Sequence, residues 1–276
     1  MITGLYAAAS GMIVQEKVQD TIAQNMAGSM MPGSRREEVV IRSFPDAMLY
    51  ETYRGLTKST DKPRYSHAIG RVGTGAGVDW TYVDHTEGVS RYTGNPTDLL
   101  INGDGFFTVK TPDGIRFTRG GSFIVDQNGY LVTPDGTQLV GQGVNAGRAP
   151  SPIQVGTEEF YVDGWGKIYV KRPDPATGIM RDTLIDQIRV VDFENKDRLF
   201  REPGNLFRLE EGDLDNVKIP ERYSVHQGYL EGSNSVPTTE MVKLIDAFRT
   251  FEANARVVRS LDQTLQRAVN DVGRVG

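Results

Sequence analysis

Cysteine is absent from the 276 residues of this chain. Its absence excludes disulfide frameworks, thiol nucleophiles and thiolate metal sites together. It also suits a protein that enters an oxidising compartment, where a free thiol mispairs. A chain that never needed a cysteine is an equally good interpretation, and composition does not separate the two.

Histidine is scarce, with three residues, and none of them is paired at metal-ligand spacing. No His-Glu-x-x-His motif is present, and no serine stands in the Gly-x-Ser-x-Gly context of a nucleophile elbow. The motifs therefore favour a structural or interaction protein over an enzyme. They predict no cofactor and no metal site.

Long hydrophobic runs and an excess of basic residues are also lacking. No run of 18 apolar residues occurs, so we expect no membrane span. The net charge of −5 provides no basic field, which argues against nucleic acid as a partner. The first residues, Met1 to Tyr6, show no basic segment followed by an apolar stretch, so we expect export, if any, without a cleaved signal peptide.

The residues that are present indicate a globular chain. Hydrophobic residues make up 38% and charged residues 24%, in a length that suits one large domain or two ordinary ones. The 31 glycines and 13 prolines indicate many turns, and hence a β-rich portion.

The C-terminal stretch Thr239 to Val272 carries a heptad pattern. Nine of ten positions in its two columns are apolar, which is the seam of a coiled coil. The columns are Met241, Phe248, Ala255, Asp262, Val269 and Leu244, Phe251, Val258, Leu265, Val272. The pattern predicts a helix on the order of 50 Å long, which needs a partner helix. Asp262 either fixes register or marks a seam open to water.

A second, weaker helical pattern runs from Leu5 to about Ala27. Its columns are Leu5, Met12, Gln19, Met26 and Ala8, Gln15, Ile22. Gly11 costs it about 1 kcal/mol of helix propensity, so the helix needs packing to become ordered. We favour pairing of the two terminal helices over separate packing of each on the central domain. The predicted subunit-interface residues are Leu5, Met12, Ile22, Met26, Met241, Leu244, Phe248, Phe251, Val258, Asp262 and Leu265.

Between the helices the period changes to two. Short apolar runs alternate with Asp-Gly and Asn-Gly turns, as in Asn128-Gly129, which predicts type I′ hairpins in an antiparallel all-β domain. The Asp126–Gly129 turn lacks the further acidic ligands of a calcium loop. Gly73 to Gly77 lacks the strand, helix and Lys of a phosphate loop, so we interpret it as flexible backbone.

The predicted fold class is α+β, with long N- and C-terminal helices pairing as a coiled-coil domain around an inserted antiparallel all-β domain. Residues 1–40 and 223–276 form the helical domain. Residues 41–87 form an extended linker or hairpin, and residues 88–222 form the β-rich domain.

Three stretches, in order, resemble the flagellar basal-body rod and hook family of bacteria. The first is Leu5-Tyr6-Ala7-Ala8-Ala9-Ser10-Gly11-Met12 with Ala23-Gln24-Asn25-Met26-Ala27. The second is Gly94-Asn95-Pro96-Thr97-Asp98-Leu99-Leu100-Ile101-Asn102-Gly103-Asp104-Gly105-Phe106-Phe107, continued by Phe117-Thr118-Arg119-Gly120-Gly121-Ser122-Phe123. The third is Gln227-Gly228-Tyr229-Leu230-Glu231-Gly232-Ser233-Asn234 with Phe251-Glu252-Ala253-Asn254. The chain departs from the family pattern at Gly28, where the family has Asn, and at Ser34, where it has an aromatic residue; Gly33 and Arg35 fit.

The resemblance implies a structural subunit of the flagellar rod that self-assembles as a helical polymer and transmits torque from motor to hook. It implies other rod and hook subunits and the flagellar type III export apparatus as partners, and a basal-body, periplasmic location. Within the rod, the sequence favours the proximal over the distal type by a narrow margin. The departure at Gly28 and Ser34 bears on contacts with neighbouring subunits.

A second hypothesis is a secreted β-domain protein that binds carbohydrate or cell wall and is oligomerised by its terminal helices. The aromatic residues Trp80, Tyr82 and Trp165 would form its platform. The sequence places them on no common strand face.

Overall fold

A computed structural model describes residues 2–52, 65–144, 149–156, 158–173, 180–209 and 217–273. A helix stands near each end of the chain, α1 (Ile2–Gly28) and α2 (Pro237–Gly273), and strands lie between them. The strands of the described residues are β1 (Arg36–Ser43), β2 (Ala47–Thr52), β3 (Tyr65–Val72), β4 (Ala76–Asp84), β5 (Ser90–Tyr92), β6 (Leu99–Gly103), β7 (Phe106–Thr111), β8 (Gly114–Thr118), β9 (Ile124–Val125), β10 (Leu131–Val132), β11 (Gln138–Gly141), β12 (Ser151–Pro152), β13 (Phe160–Val162), β14 (Lys167–Pro173), β15 (Met180–Gln187), β16 (Val190–Phe193), β17 (Leu199–Glu202), β18 (Leu206–Leu209), β19 (Val217–Lys218), β20 (Tyr223–Gln227) and β21 (Tyr229–Glu231).

The largest sheet has the order β17-β18-β8-β7-β11-β10-β9. Its pairs are antiparallel, and β7 joins β8, β11 and β16. The α+β class, with a helix at each end and an antiparallel β domain between them, is therefore confirmed. The long excursion after β1 contains the antiparallel pair β2 and β3; its residues 53–64 lie outside the described part.

Strand β7 is buried on both faces, because successive strand side chains point to opposite sides of a sheet. Phe107 and Val109 pack into one core cluster with Leu131, Leu139 and other aliphatic residues. Phe106 packs into a second cluster, which is mostly aromatic and contains Phe117, Phe193 and Phe207. The double apolar run Phe106-Phe107 thus supplies both cores of the β domain.

The turns lie where Asp-Gly and Asn-Gly predict them, but the predicted type I′ conformation is wrong. That turn requires positive φ at both central residues. Among the described residues, Asn205 is the non-glycine with positive φ, so in Asn128-Gly129 only the glycine, at φ 80°, adopts it. The reason is local hydrogen bonding: Asp126 Oδ1 accepts from the N–H groups of Asn128 (2.9 Å) and Tyr130 (2.7 Å). These two hydrogen bonds form an Asx turn, and the Asp126 carboxylate stabilises it.

The chain divides into two compact units. Unit 1 comprises Met1–Ala23, Glu37–Tyr82 and Glu240–Gly276, and therefore holds most of both helices. Unit 2 comprises Gln24–Arg36 and Val83–Thr239, and holds both core clusters.

Candidate functional site

Two contacts join α1 to α2 within unit 1. A Cβ built on Gly11 would lie 2.9 Å from Asn254 Nδ2, and one built on Gly4 would lie 3.6 Å from Leu261 Cδ1. The earlier residue of α1 contacts the later residue of α2, and the later residue of α1 contacts the earlier one. This is the order that antiparallel helices give. The close approach of α2 explains why a glycine stands at position 11. Glycine lowers the helix propensity of α1 but leaves room for the Asn254 amide.

The structure separates the predicted interface residues into three levels of exposure. Ile22 is buried, at 6% exposure. The half-buried residues are Leu5, Met12, Met26, Leu244, Phe251, Val258 and Leu265. Met241, Phe248 and Asp262 are exposed. Of the two heptad columns of α2, the one with Leu244 and Phe251 is therefore the more covered.

Asn254, rather than Asp262, is the polar residue of α2 that lies against Gly11 of α1. Asp262 is exposed and accepts a hydrogen bond from Gln266 one turn later (3.4 Å). Asp262 stands in the column of Met241, whereas Asn254 belongs to neither apolar column, so the heptad pattern does not point to Asn254. A polar residue in a helix seam restricts register, and in this chain Asn254 meets that description.

The first turns of α2 carry an exposed apolar surface, which we call the outer strip. It consists of Met241, Val242, Ile245 and Phe248, with Met241 at 51% and Phe248 at 50% exposure. Three of the four residues recur at i, i+4 and i+7, which places them on one side of the helix. Such a contiguous apolar surface is typical of an interaction site.

The glycine stretch after β3 packs against α1 and is not simply flexible backbone. Ser10 Oγ accepts a hydrogen bond from the Ala76 N–H (3.2 Å) and donates one to the Ala7 carbonyl (2.9 Å). Gly75 has φ 128°, and a Cβ there would overlap Ser10 Oγ. The interpretation of Gly73 to Gly77 as flexible backbone is therefore wrong, since Gly75 permits this approach.

A buried ionic cluster, which sequence reasoning missed, lies in unit 2 and consists of Arg35, Arg119 and Glu231. We call it the buried triad. Arg35 Nη1 lies 2.7 Å from Glu231 Oε1, and Arg119 Nη1 lies 3.4 Å from Glu231 Oε2. The Arg35 and Glu231 side chains are 0% and 3% exposed. Burial lowers the pKa of Arg119, and the Glu231 carboxylate opposes that shift.

The buried triad ties distant segments of unit 2 together. Arg35 donates to the Thr86 carbonyl (2.6 Å), and Arg119 donates to the carbonyls of Ile101 (3.1 Å) and Gly103 (2.6 Å). Gly33, at φ 67°, donates to the Glu231 carbonyl (2.8 Å). Arg119 and Glu231 lie within the second and third resembling stretches, each as a single charge among uncharged residues, and that pattern is the signal that could have found them.

The two departures from the family pattern, Gly28 and Ser34, lie next to each other. A Cβ on Gly28 would lie 2.6 Å from Ser34 Oγ and 3.4 Å from Arg201 Nη2. Arg201 donates to Ser34 Oγ (3.1 Å) and to the Arg35 carbonyl (3.1 Å). Small residues at both positions therefore leave room for the Arg201 guanidinium.

His85 lies beside the buried triad, and its ring contacts Phe106 and Phe207 at centroid distances of 5.9 Å. Burial, together with the nearby Arg35 charge, lowers the pKa of His85 to about 4. The unfolded chain binds the proton near the ordinary value of about 6.5, so it is the unfolded state that gains protons as the pH falls.

As the pH falls from 7.5 to 5, the free energy of unfolding of unit 2 should therefore decrease. We expect this decrease to be about 2 kcal/mol larger in the wild type than in His85→Phe. Urea unfolding at a series of pH values measures this difference. Phe200→Leu, at an exposed aromatic residue of unit 2 that carries no titratable group, is the control and should keep the wild-type slope. Equal slopes in the wild type and His85→Phe would contradict the assignment.

The described residues contain no group of three or more acidic, histidine or cysteine residues placed to hold a metal ion. Among the described residues, no helix is long and apolar enough to cross a membrane. Of the aromatic residues considered for a carbohydrate platform, Trp80 and Tyr82 lie together on β4, with ring centroids 6.1 Å apart. Trp165 belongs to the other unit.

Comparison with known proteins identifies relatives along nearly the whole chain. Residues 226–271 match the family described as flagellar basal body rod FlgEFG protein C-terminal, and residues 100–170 match the flagellar hook protein FlgE/F/G D1 domain. The flagellar basal-body rod protein FlgG of Bacillus subtilis is 31% identical over 98% of this chain and 99% of its own length. FlgG of Caulobacter vibrioides is 30% identical over 95% and 96%, and FlgF of the same organism is 27% identical over the full length of both chains.

Proposed function

Because this chain belongs to the flagellar basal-body rod protein family, we propose that it is a structural subunit of the rod, and that it self-assembles as a helical polymer and transmits torque from motor to hook. The single observation that carries the assembly proposal is the outer strip, an exposed apolar surface on a terminal helix. Members of the family assemble with each other in the basal body. The proposed role is structural rather than enzymatic.

We propose that α1 and α2 pair as an antiparallel coiled coil. Support comes from the contacts Gly11–Asn254 and Gly4–Leu261, which are seven residues apart on both helices. Seven residues are one heptad, so the two contacts repeat the same seam position. The half-buried column Leu244, Phe251, Val258 and Leu265 would complete this seam.

The outer strip is then available to neighbouring subunits. An apolar strip that meets a different surface on the next copy makes a heterologous contact, and a heterologous contact that does not close into a ring generates an open filament. Met241 and Phe248, which the heptad pattern assigns to a seam, would be covered in the assembled rod rather than in the single subunit.

The remaining features follow the family expectation. We propose that residues 1–40 with 223–276 form the rod core, residues 41–87 the linker or hairpin, and residues 88–222 the β-rich domain. Export through the flagellar type III apparatus without a cleaved signal, and a periplasmic location in the basal body, belong to the same proposal. The relatives include both FlgG and FlgF proteins, and placement in the proximal rod stays a prediction.

Electron microscopy and sedimentation of the purified full chain test this function. We expect filaments above a threshold concentration, and we expect a chain lacking residues 239–276 to remain unassembled. Circular dichroism of the shortened chain reports whether its β structure is retained. A full chain that stays monomeric at every accessible concentration, or unchanged assembly without α2, would overturn the proposal.

A further inference from the structure

The turn between β13 and β14 displays an exposed tryptophan on a fixed backbone. Trp165 is 65% exposed. Its N–H donates to Asp163 Oδ1 (2.9 Å), and its carbonyl accepts from Gln187 Nε2 (2.9 Å). We call this segment the Trp165 turn.

Two core residues hold the Trp165 turn, one on each side. The Gly164 carbonyl accepts from the Val225 N–H (3.0 Å), and the Gly166 carbonyl accepts from the Ile188 N–H (2.8 Å). Val225 and Ile188 both belong to the aliphatic core cluster. A large aromatic side chain on so fixed a backbone loses little conformational entropy on binding, and such residues dominate binding energies at protein interfaces.

Unit 1 contains a cavity of about 590 Å³, which we call the Phe44 pocket. Phe44, Pro45 and Val78 form its apolar lining, and Arg42 and Asp46 lie on the same lining. Its size falls within the ~300–1,000 Å³ range of cavities that bury a small molecule, so it can take one large side chain.

Two hydrogen bonds to the backbone of Phe44 and Pro45 fix the lining of the Phe44 pocket. The Phe44 N–H donates to the Gly75 carbonyl (2.9 Å), and Thr74 Oγ1 donates to the Pro45 carbonyl (3.0 Å). A Cβ on Gly77 would lie 3.0 Å from the Phe44 ring, so the ring rests against that glycine. The pocket is therefore formed before anything binds in it.

We propose that the Trp165 side chain of one copy inserts into the Phe44 pocket of a second copy. The Trp165 turn carries Asp163 two residues before the tryptophan and Lys167 two residues after it. The Phe44 pocket carries Arg42 and Asp46, the opposite pair of charges. The Arg42 guanidinium, which lies 3.2 Å from Asp79 Oδ1 and is 75% exposed, also suits a cation–π contact with an indole ring. The Phe44 pocket therefore matches the Trp165 turn in size, in apolar character and in the signs of its charges.

The contact deepens the proposed function and rests on it. It joins different surfaces of two copies, so it is heterologous and propagates along a filament. The outer strip of α2 contributes no residue to it, so the two contacts can be tested separately.

Cysteine crosslinking tests the contact directly, because the native chain has no cysteine. Full-length Gly164→Cys and Ser43→Cys chains are mixed, oxidised and analysed on non-reducing gels. We expect a crosslinked dimer from this mixture, and a background level from Gly164→Cys mixed with Ser260→Cys. Adding Trp165→Ala to the Gly164→Cys chain should lower the yield at least about tenfold, whereas adding Phe200→Ala, at another exposed aromatic residue, should not.

Charge reversal supplies the second measurement. Lys167→Glu in one chain or Asp46→Lys in the other should each lower the yield, and the mixture of both should restore it. A yield no higher than background, in samples where sedimentation shows that the chain assembles, overturns this contact and leaves the proposed function standing. A chain that does not assemble at all overturns the proposed function, and this contact with it.

Discussion

Glu231→Gln is expected to lower the free energy of unfolding of unit 2 by about 3–5 kcal/mol, the usual effect of removing one partner from a buried ion pair. Glu231 is the carboxylate that faces Arg35 and Arg119, and its loss leaves two buried guanidinium groups uncompensated. Glutamine keeps the shape of the side chain, so the effect measures charge rather than a cavity. Urea unfolding, followed by a probe of β structure, measures it.

An exposed ion pair provides the control for this prediction. Arg172 and Glu158 lie 2.9 Å apart, with side chains 49% and 43% exposed. Exposed pairs contribute about 0–1 kcal/mol, so Glu158→Gln should change stability little. A double variant, Arg35→Met with Glu231→Leu, should be less destabilised than the sum of the single changes, since it removes one of the two guanidinium charges that the loss of Glu231 leaves unpaired, while Arg119 keeps the other. A change below 1 kcal/mol for Glu231→Gln would contradict the importance of the buried triad.

The helices were the most predictable part of the fold. The heptad stretch beginning at Thr239 predicts a helix, and α2 begins at Pro237, two residues earlier. Long periodic segments are reliable because many side chains repeat the same signal. The pattern also shows two apolar columns, but it does not say which is covered. That depends on the shape of the opposite surface, where Gly11 leaves room for the side chain of Asn254.

The turns illustrate the limit of local reasoning. Asn128-Gly129 marks a hairpin correctly, yet its conformation is decided by Asp126, whose carboxylate accepts the N–H groups of Asn128 and Tyr130. Dipeptide preference reports the turn position and not the hydrogen bonds that select its type.

The buried triad lies beyond local pattern reasoning altogether. Arg35, Arg119 and Glu231 are separated by 84 and 112 positions along the chain. Charged side chains are rarely buried, so any single one of them predicts a solvated surface. Arg119 and Glu231 lie within two of the stretches that resemble the rod family, so the fold brings these two stretches together through a single ionic cluster.

The double variant Ile245→Glu with Phe248→Glu is expected to raise the threshold concentration for assembly at least about 100-fold. Both residues belong to the outer strip, and Ile245 and Phe248 are 47% and 50% exposed in the single subunit. Placing two carboxylates on a surface that becomes buried between copies leaves charges without water or partners. Sedimentation of the full chain over a concentration series measures the threshold.

The subunit itself should fold normally in this variant. Exposed substitutions usually change stability by about 0.5 kcal/mol or less, and glutamate is a good helix former. The matched control is Thr250→Glu with Gln263→Glu, which adds the same charge at exposed polar positions of α2. The control should keep the wild-type threshold, because neither position belongs to the outer strip. Wild-type assembly of the Ile245→Glu, Phe248→Glu chain would show that the outer strip remains in water in the polymer, and the covered surface would then have to be sought elsewhere on the chain.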